Sequence, residues 1–276
     1  MNIPVKSSNK GFSLTMYEYR ICCFIDILGF KNHIDSTIGS HGKDVPDKIL
    51  DIKDIINLSR KILKEPKSIV KSKIVTQFSD SIVISFKMQE ESGVFYALID
   101  LLHIALEFAH RGYLTRGGIS VGKLVHTRKH VFGPALNEAY KLEKDFAQFP
   151  RIILNADILE IAKSFPLRIN SSDDEMESVM NCLAQDEDGY YYIDYIEQAV
   201  HELNDHNYDL IPYLNSLKNI IVDGLKNDDP RVVSKFEWLK SKYNIYVQKI
   251  LRNISGWKHI DGDEELLLEF KMLKLI

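Results

Sequence analysis

Tyr19 to Phe30 reads YRICCFIDILGF, an apolar run of strand character broken by one carboxylate, Asp26. An ionised carboxylate among Ile21, Phe24, Ile25, Ile27 and Leu28 is costly unless a cation or strong donors compensate it. A second run, Ile74 to Phe86, IVTQFSDSIVISF, sets Asp80 in similar surroundings and reads as a strand pair. Two isolated carboxylates in two strand-like runs can meet on neighbouring strands. Oxygen ligands brought together that way suit Mg²⁺ or Mn²⁺. The competing reading of either Asp alone is a turn cap or an ion pair with a base.

The surrounding chain has 276 residues and 45% apolar content, enough to fill a real core in one large domain or one domain with an appendage. Its formal charge of −4 gives no basic face for a nucleic-acid partner. No apolar stretch is expected to span a membrane, and MNIPVKSSNKGF lacks the apolar centre of a signal peptide, so a cytoplasmic location is expected. Cys22, Cys23 and Cys182 have neither disulfide nor zinc spacing and read as buried fillers in a reducing compartment.

Residues 1–15 read as a loose leader. Asp47 to Lys64 and Glu91 to His110 carry helical periodicity, and Gly112 closes the second helix. Tyr113 to Val125, YLTRGGISVGKLV, is a strand whose glycines permit close backbone approach. His126 to His130 read as an exposed polar turn; two histidines there without a further ligand motif exclude a zinc reading. Pro134 suits the first position of a helix that places Asn137 and Lys141 on one face. A short strand from Pro150, a helix from Ala156, a polar loop at Asn170 to Glu177 and a strand after Gly189 follow. From Glu197 the pattern is helical, with a break at Lys226 to Pro230 and an apolar tail that must dock to be soluble. The division is therefore a leader at 1–15, a domain at 16–196 and a helical extension at 197–276. The element order predicts an α+β fold with helices on one face of an antiparallel sheet.

FIDILGF, FSDSIVISF, RGGISVGKLV and FGPALNEAYKLE, in this order and spacing, resemble class III nucleotide cyclase catalytic domains over about 180 residues. The resemblance implies a ferredoxin-like α+β domain with an antiparallel sheet. Asp26 and Asp80 match the metal aspartates, Arg116 with Gly118, Ile119 and Gly122 the R-x-G-I-x-x-G strand, and Asn137 with Lys141 the N-x-x-x-R helix, Lys replacing Arg. At the positions that read a purine base stand Thr76 and His130, which match neither the adenine nor the guanine pair. With the helical extension, the wording is most similar to the pyrimidine cyclases (uridylate and cytidylate cyclases) of bacterial Pycsar antiphage systems.

That resemblance implies conversion of UTP or CTP to a cyclic nucleotide that a separate effector protein reads. It implies two Mn²⁺ or Mg²⁺ ions per site on Asp26, Asp80 and the Ile27 carbonyl, with Phe24, Gly29 and Phe30 around the triphosphate. It places Asn137 at the ribose, Lys141 at the α-phosphate and Thr76 and His130 at the base, with Tyr17, Tyr19 and Arg20 as reserve base readers. It also implies a homodimer, because the metal carboxylates and the Asn/Lys pair come from different chains. Arg116 is expected to tie down its strand through a buried carboxylate. Lys141 as a solvated charge, and Thr76 and His130 as ordinary strand and hairpin residues, are the plain alternatives. For the whole chain, the rivals are a decayed cyclase-like sensing or dimerisation module and a purine cyclase.

Overall fold

The computed structural model describes residues 16–64, 71–205, 208–254 and 263–276. The expected leader, residues 1–15, lies outside them. In chain order the elements are β1 (Glu18–Ile27), α1 (Phe30–Asp35), α2 (Pro46–Ile62), β2 (Ile74–Phe78), β3 (Ser81–Lys87), α3 (Gly93–His110), β4 (Thr115–His126), β5 (Val131–Phe132) and α4 (Pro134–Lys141). Then come β6 (Ile152–Leu154), α5 (Asp157–Ser164), α6 (Ser172–Asn181), β7 (Leu183–Gln185), β8 (Tyr191–Ile193), α7 (Ala199–Glu202), α8 (Leu210–Gly224), α9 (Pro230–Asn253) and α10 (Glu264–Lys271).

The fold is α+β around one sheet, ordered β2-β3-β1-β4-β6-β8-β7, with β5 paired to β4. β1 is central because it is apolar on both faces. Successive strand residues point to opposite sides: Ile21, Cys23, Ile25 and Ile27 enter the main core with α3, whereas Cys22 and Phe24 pack with Val83, Leu124, Ala135 and Ala139. All pairs are antiparallel except β4 with β6, joined in parallel through Gly117↔Ile152 and Ile119↔Leu154. The sheet is therefore mixed, and helices cover both faces rather than the expected one. The parallel pair is reached by the crossover through β5 and α4, a connection that parallel strands require.

α4 lies close against β1 and β4 because two of the β4 positions beneath it, Gly118 and Gly122, carry no side chain. A Cβ on Gly118 would meet the Ala139 carbonyl at 2.4 Å and Leu142 Cβ at 2.5 Å, whereas one on Gly122 would sit 3.6 Å from Ala135 Cβ. After Lys141 the helix passes into a π-helical turn, Leu142–Phe146. On the other side of the sheet, α3 has the length and apolarity of a membrane span, contrary to the expectation that no stretch does, and buries Leu98, Leu101, Ile104 and Phe108 in the core.

Asn170–Glu177, expected as a polar loop, mostly forms α6. Ser171 Oγ accepts from the Asp174 N–H at 3.1 Å and Asp174 Oδ2 accepts from the Ser171 N–H at 3.0 Å. This capping box converts a polar run into a helix start. The C-terminal helices share the main core through Tyr213, Leu217, Leu239 and Tyr243, and the apolar tail docks with Leu266 and Phe270 buried. Arg151, 1% exposed, pins α9 from the sheet side. It donates to Asp186 Oδ2 at 2.5 Å, which also accepts from Trp238 Nε1 at 2.7 Å, and Phe149 stacks on Trp238 at 5.5 Å between ring centroids.

The Gly118 contact predicts that Gly118→Ala costs about 1–3 kcal/mol through overpacking, while Gly122→Ala stays within about 1 kcal/mol. Urea unfolding of the two variants checks this pair of outcomes.

Candidate active site

Asp26 projects from the end of β1 on the α4 face. The register Ile25↔Ile82 brings it beside the two-residue turn Ser79–Asp80 that joins β2 to β3. Ser79 adopts φ 55°, a conformation costly to a residue with a side chain, and thereby closes the turn that presents Asp80. The Asp26 and Asp80 carboxyl groups lie close enough to interact directly. Burial first, then the Asp80 carboxyl, then Glu143, push Asp26 up to about 7, against the lowering effect of Arg116. Two carboxylates this close cannot both ionise cheaply, which favours the protonated form of Asp26 unless a cation intervenes.

Arg116 sits directly across β4 from Asp26, with Nη2 4.0 Å from Asp26 Oδ2, and it pairs more closely with Glu143. Glu143 is 3% exposed; burial raises its carboxyl and Arg116 opposes that rise. Sequence reasoning missed Glu143. Its signal was spacing: Ala135, Ala139 and Glu143 recur every four residues, so the acid falls on the helix face that meets the sheet. Lys235 of α9 was missed as well. Burial and the charge of Arg116 push its amine down, which sets it near the site from the helical extension. It lines a cavity of about 580 Å³ with Leu28, Gly29, Asn32, His33 and Asn219.

The other expected residues are distributed as follows. Ile27 has its side chain in the core. Phe24 lies half-buried on the α4 face, edge-on to Tyr140 at 5.4 Å. Gly29, at φ 72°, precedes α1, and Phe30 opens that helix while packing against the core. Asn137 and Lys141 are exposed on the outer side of α4, and neither has a bond to Asp26 or Asp80 among the described residues. Lys141 Nζ instead lies 5.9 Å from the Phe146 ring centroid. Thr76 is on β2, and its Oγ1 lies 3.0 Å from Nε2 of His126, not His130. His130 is exposed in the β4–β5 turn, where its N–H and carbonyl both engage Thr127. His126, expected in an exposed turn, is instead the last residue of β4 and 5% exposed. The strand continues because His126 shares the parity of Leu124 and falls on the covered α4 face.

Among the described residues no group of three or more His, Cys, Asp or Glu side chains could hold a metal. The chain's donor set is the Asp26–Asp80 pair. Such a pair fits Mg²⁺ or Mn²⁺, which are commonly bound through one or two carboxylates, with water and substrate phosphates completing the shell. The raised Asp26 carboxyl marks where a divalent charge would be accommodated.

No family model matches the sequence, and no curated protein matches it. Solved structures that resemble it include the adenylyl cyclase CyaB from P. aeruginosa, at TM-score 0.46 and 12% identity, covering 64% of this chain and 94% of that one. The monomeric guanylyl cyclase domain of the RhoGC fusion protein from the aquatic fungus Blastocladiella emersonii gives TM-score 0.45 and 14% identity over 64% of this chain and 95% of that one. An adenylate/guanylate cyclase/hydrolase from Silicibacter pomeroyi gives 0.36 and 17% over 53% and 82%.

The Asp26 geometry predicts a pH signature in the metal-free protein. A carboxyl raised from 3.8 to about 7 on folding contributes stability below pH 4 that is lost as pH rises through 7. Asp26→Asn is insensitive to that loss, so in chelator it should gain on wild type between pH 4 and 7, by about 1–2 kcal/mol after allowance for solvent screening. Thermal melts of both proteins across that range, with EDTA, measure the difference; a constant difference refutes the raised Asp26 carboxyl.

Proposed function

We propose that the chain is a pyrimidine nucleotide cyclase, converting UTP or CTP to the 3′,5′-cyclic nucleotide and pyrophosphate. The observation that carries the reading is the Asp26–Asp80 carboxyl pair, two acids brought together from separate segments with a third acid, Glu143, and a single guanidinium, Arg116, nearby. Structural acids are kept apart or paired with bases; an acid pair has a use when it receives a cation. Bound Mg²⁺ or Mn²⁺ would stabilise charge on the attacking and leaving oxygens, held by Asp26 and Asp80 with the Ile27 carbonyl as a further donor.

The chain's own groups supply the remainder. The reaction is intramolecular, so the task is to fold the nucleotide with its 3′-hydroxyl against the α-phosphorus. Asn137 would hold the ribose by hydrogen bonds, and Lys141 would bring a positive charge to the α-phosphate as negative charge develops there. Lysine lacks the planar fork of arginine and acts as a point charge. Arg116, spent on Glu143 and placed opposite Asp26, keeps the carboxyl pair oriented. Phe24, Gly29 and Phe30 border the space for the triphosphate, and Thr76 and His130 the space for the base.

Asn137 and Lys141 face outward on α4, away from Asp26 and Asp80 of their own chain. A two-fold homodimer would bring them to the partner's carboxylates and complete two equivalent sites. By its likeness to the Pycsar enzymes, the product would serve as a cytoplasmic second messenger in antiphage defence, read by a separate effector.

Incubation with each of the four nucleoside triphosphates and Mn²⁺, followed by product separation, tests the activity; a purine product or no product refutes the pyrimidine reading. Asp26→Ala and Asp80→Ala should each lower turnover more than ~100-fold with the fold retained by circular dichroism. For the shared site, equal mixing of Asp26→Ala and Asn137→Ala chains should restore about a quarter of wild-type activity, since half the dimers would carry one intact site of two. No rescue despite measured subunit exchange would refute the interfacial site.

A further inference from the structure

The Asp26–Asp80 pair has a cation beside it that makes no hydrogen bond to it. Arg116 Nη2 stands 4.0 Å from Asp26 Oδ2, beyond hydrogen-bond reach, and makes its close contact with Glu143 Oε1 instead. Arg116 Nε is buried with no hydrogen-bond partner among the described residues, so the guanidinium has a donor left over. Asp26 and Arg116 keep 24% and 23% of their side chains exposed, whereas Glu143 keeps 3%. The guanidinium has therefore turned from the more accessible acid toward the buried one.

What fixes that choice is the place of Glu143. It is the second residue of the π-helical turn Leu142–Phe146, a form of backbone that is rare and recurs at functional sites. The turn is pressed onto β4 where the strand has no side chain: a Cβ on Gly118 would lie 3.1 Å from the Glu143 nitrogen. A carboxylate held there by the backbone, out of contact with water, needs a base, and Arg116 is that base. Without the charge of Glu143, a largely buried guanidinium would be left unpaired, with Asp26 only 4.0 Å away. For a divalent ion on the carboxyl pair the difference is large. Arg116 and Glu143 together carry no net charge, whereas Arg116 alone would repel the ion and compete with it for the Asp26 oxygens.

We propose that Glu143 is a positioning residue for the metal: it holds Arg116 off Asp26 and cancels its charge, so that the carboxyl pair keeps its oxygens for Mg²⁺ or Mn²⁺. The inference rests on reading that pair as the metal site of a cyclase, and it adds a residue that acts through Arg116 rather than on the ion or the nucleotide. Lys235 beside Arg116, and Lys144 and Asp145 beside Glu143, contribute to the same field. They are common to all the variants below, so the comparison among those variants isolates the Arg116–Glu143 pair.

The test is Mn²⁺ binding to the full-length protein without nucleotide, at about pH 8, where ordinary carboxyl groups are ionised, followed by the electron paramagnetic resonance signal of free Mn²⁺. Wild type is compared with Glu143→Gln, Arg116→Gln and the double variant, and Asp26→Ala sets the background. Glu143→Gln should weaken binding ~10-fold or more and Arg116→Gln should tighten it ~3-fold or more. The double variant, with two amides in place of the ion pair, should bind within ~3-fold of wild type, because the two charge effects offset one another. Opposite signs from the single variants and rescue in the double one are effects of charge; a packing role for Glu143 would weaken binding in both variants that lack it. Should circular dichroism show Glu143→Gln unfolded, Arg116→Gln and the double variant decide the matter by the same criteria. Unchanged binding in folded Glu143→Gln, a double variant more than ~10-fold weaker than wild type, or an Arg116→Gln no tighter than wild type overturns the inference. Each of these leaves the cyclase reading standing, since that reading is decided by turnover of the four nucleotides. Wild-type binding no greater than the Asp26→Ala background brings down the metal pair and the role of Glu143 together.

Discussion

The pairing of Asp26 with Arg116 across β1 and β4 is the constraint on which the site depends. One register step in either direction would send Asp26 into the main core, where Ile25 and Ile27 now sit, and bury a carboxylate with no base beside it. The register is held by the glycines of β4. Because Gly118 admits α4 to the sheet, the helix can deliver Glu143 to Arg116, and the guanidinium is held between two acids. Helix packing, strand register and the electrostatics of the carboxyl pair are therefore one problem with one solution.

The strand carrying Asp26 and the hairpin carrying Asp80 were legible in the sequence because a lone acid in an apolar, β-branched run is conspicuous against its neighbours. The α4 helix was legible from Pro134 and from the spacing after it. Glu143 was not, since acids are common near the ends of helices and only its four-residue spacing from Ala139 distinguishes it. His126 was misread because Thr127 to His130 is polar throughout, and composition masked the strand parity that His126 shares with Leu124. Asn170 to Glu177 was misread in the same way: polarity suggested a loop where Ser171 and Asp174 cap a helix. The parallel β4–β6 pair could not be found from local pattern at all, because neither strand records which neighbour it will have.

The helices from α8 onward are joined to the sheet domain by a continuous apolar core and by a polar lock. Tyr213 donates its hydroxyl hydrogen to the Tyr195 carbonyl at 2.6 Å, and Asp186 collects Arg151, Trp238 and Lys242. Burial would raise Asp186, but the hydrogen bonds from Lys242 and Trp238 and the charges of Lys242 and Arg151 hold it below the usual carboxylate range. An acid so surrounded keeps its charge, and the lock stays closed through ordinary changes of pH.

Trp238 gives that lock an optical voice. Its indole is stacked on Phe149 and tethered to Asp186, and it lies on α9 three residues, less than one turn, beyond Lys235 at the edge of the carboxyl site. A shift of this helix turn moves both together. A ligand that draws this part of α9 inward would disturb the ring's stack and its exposure to water, so that in a chain whose other tryptophan, Trp257, is replaced by Phe, indole emission would follow whether the cleft is empty or filled.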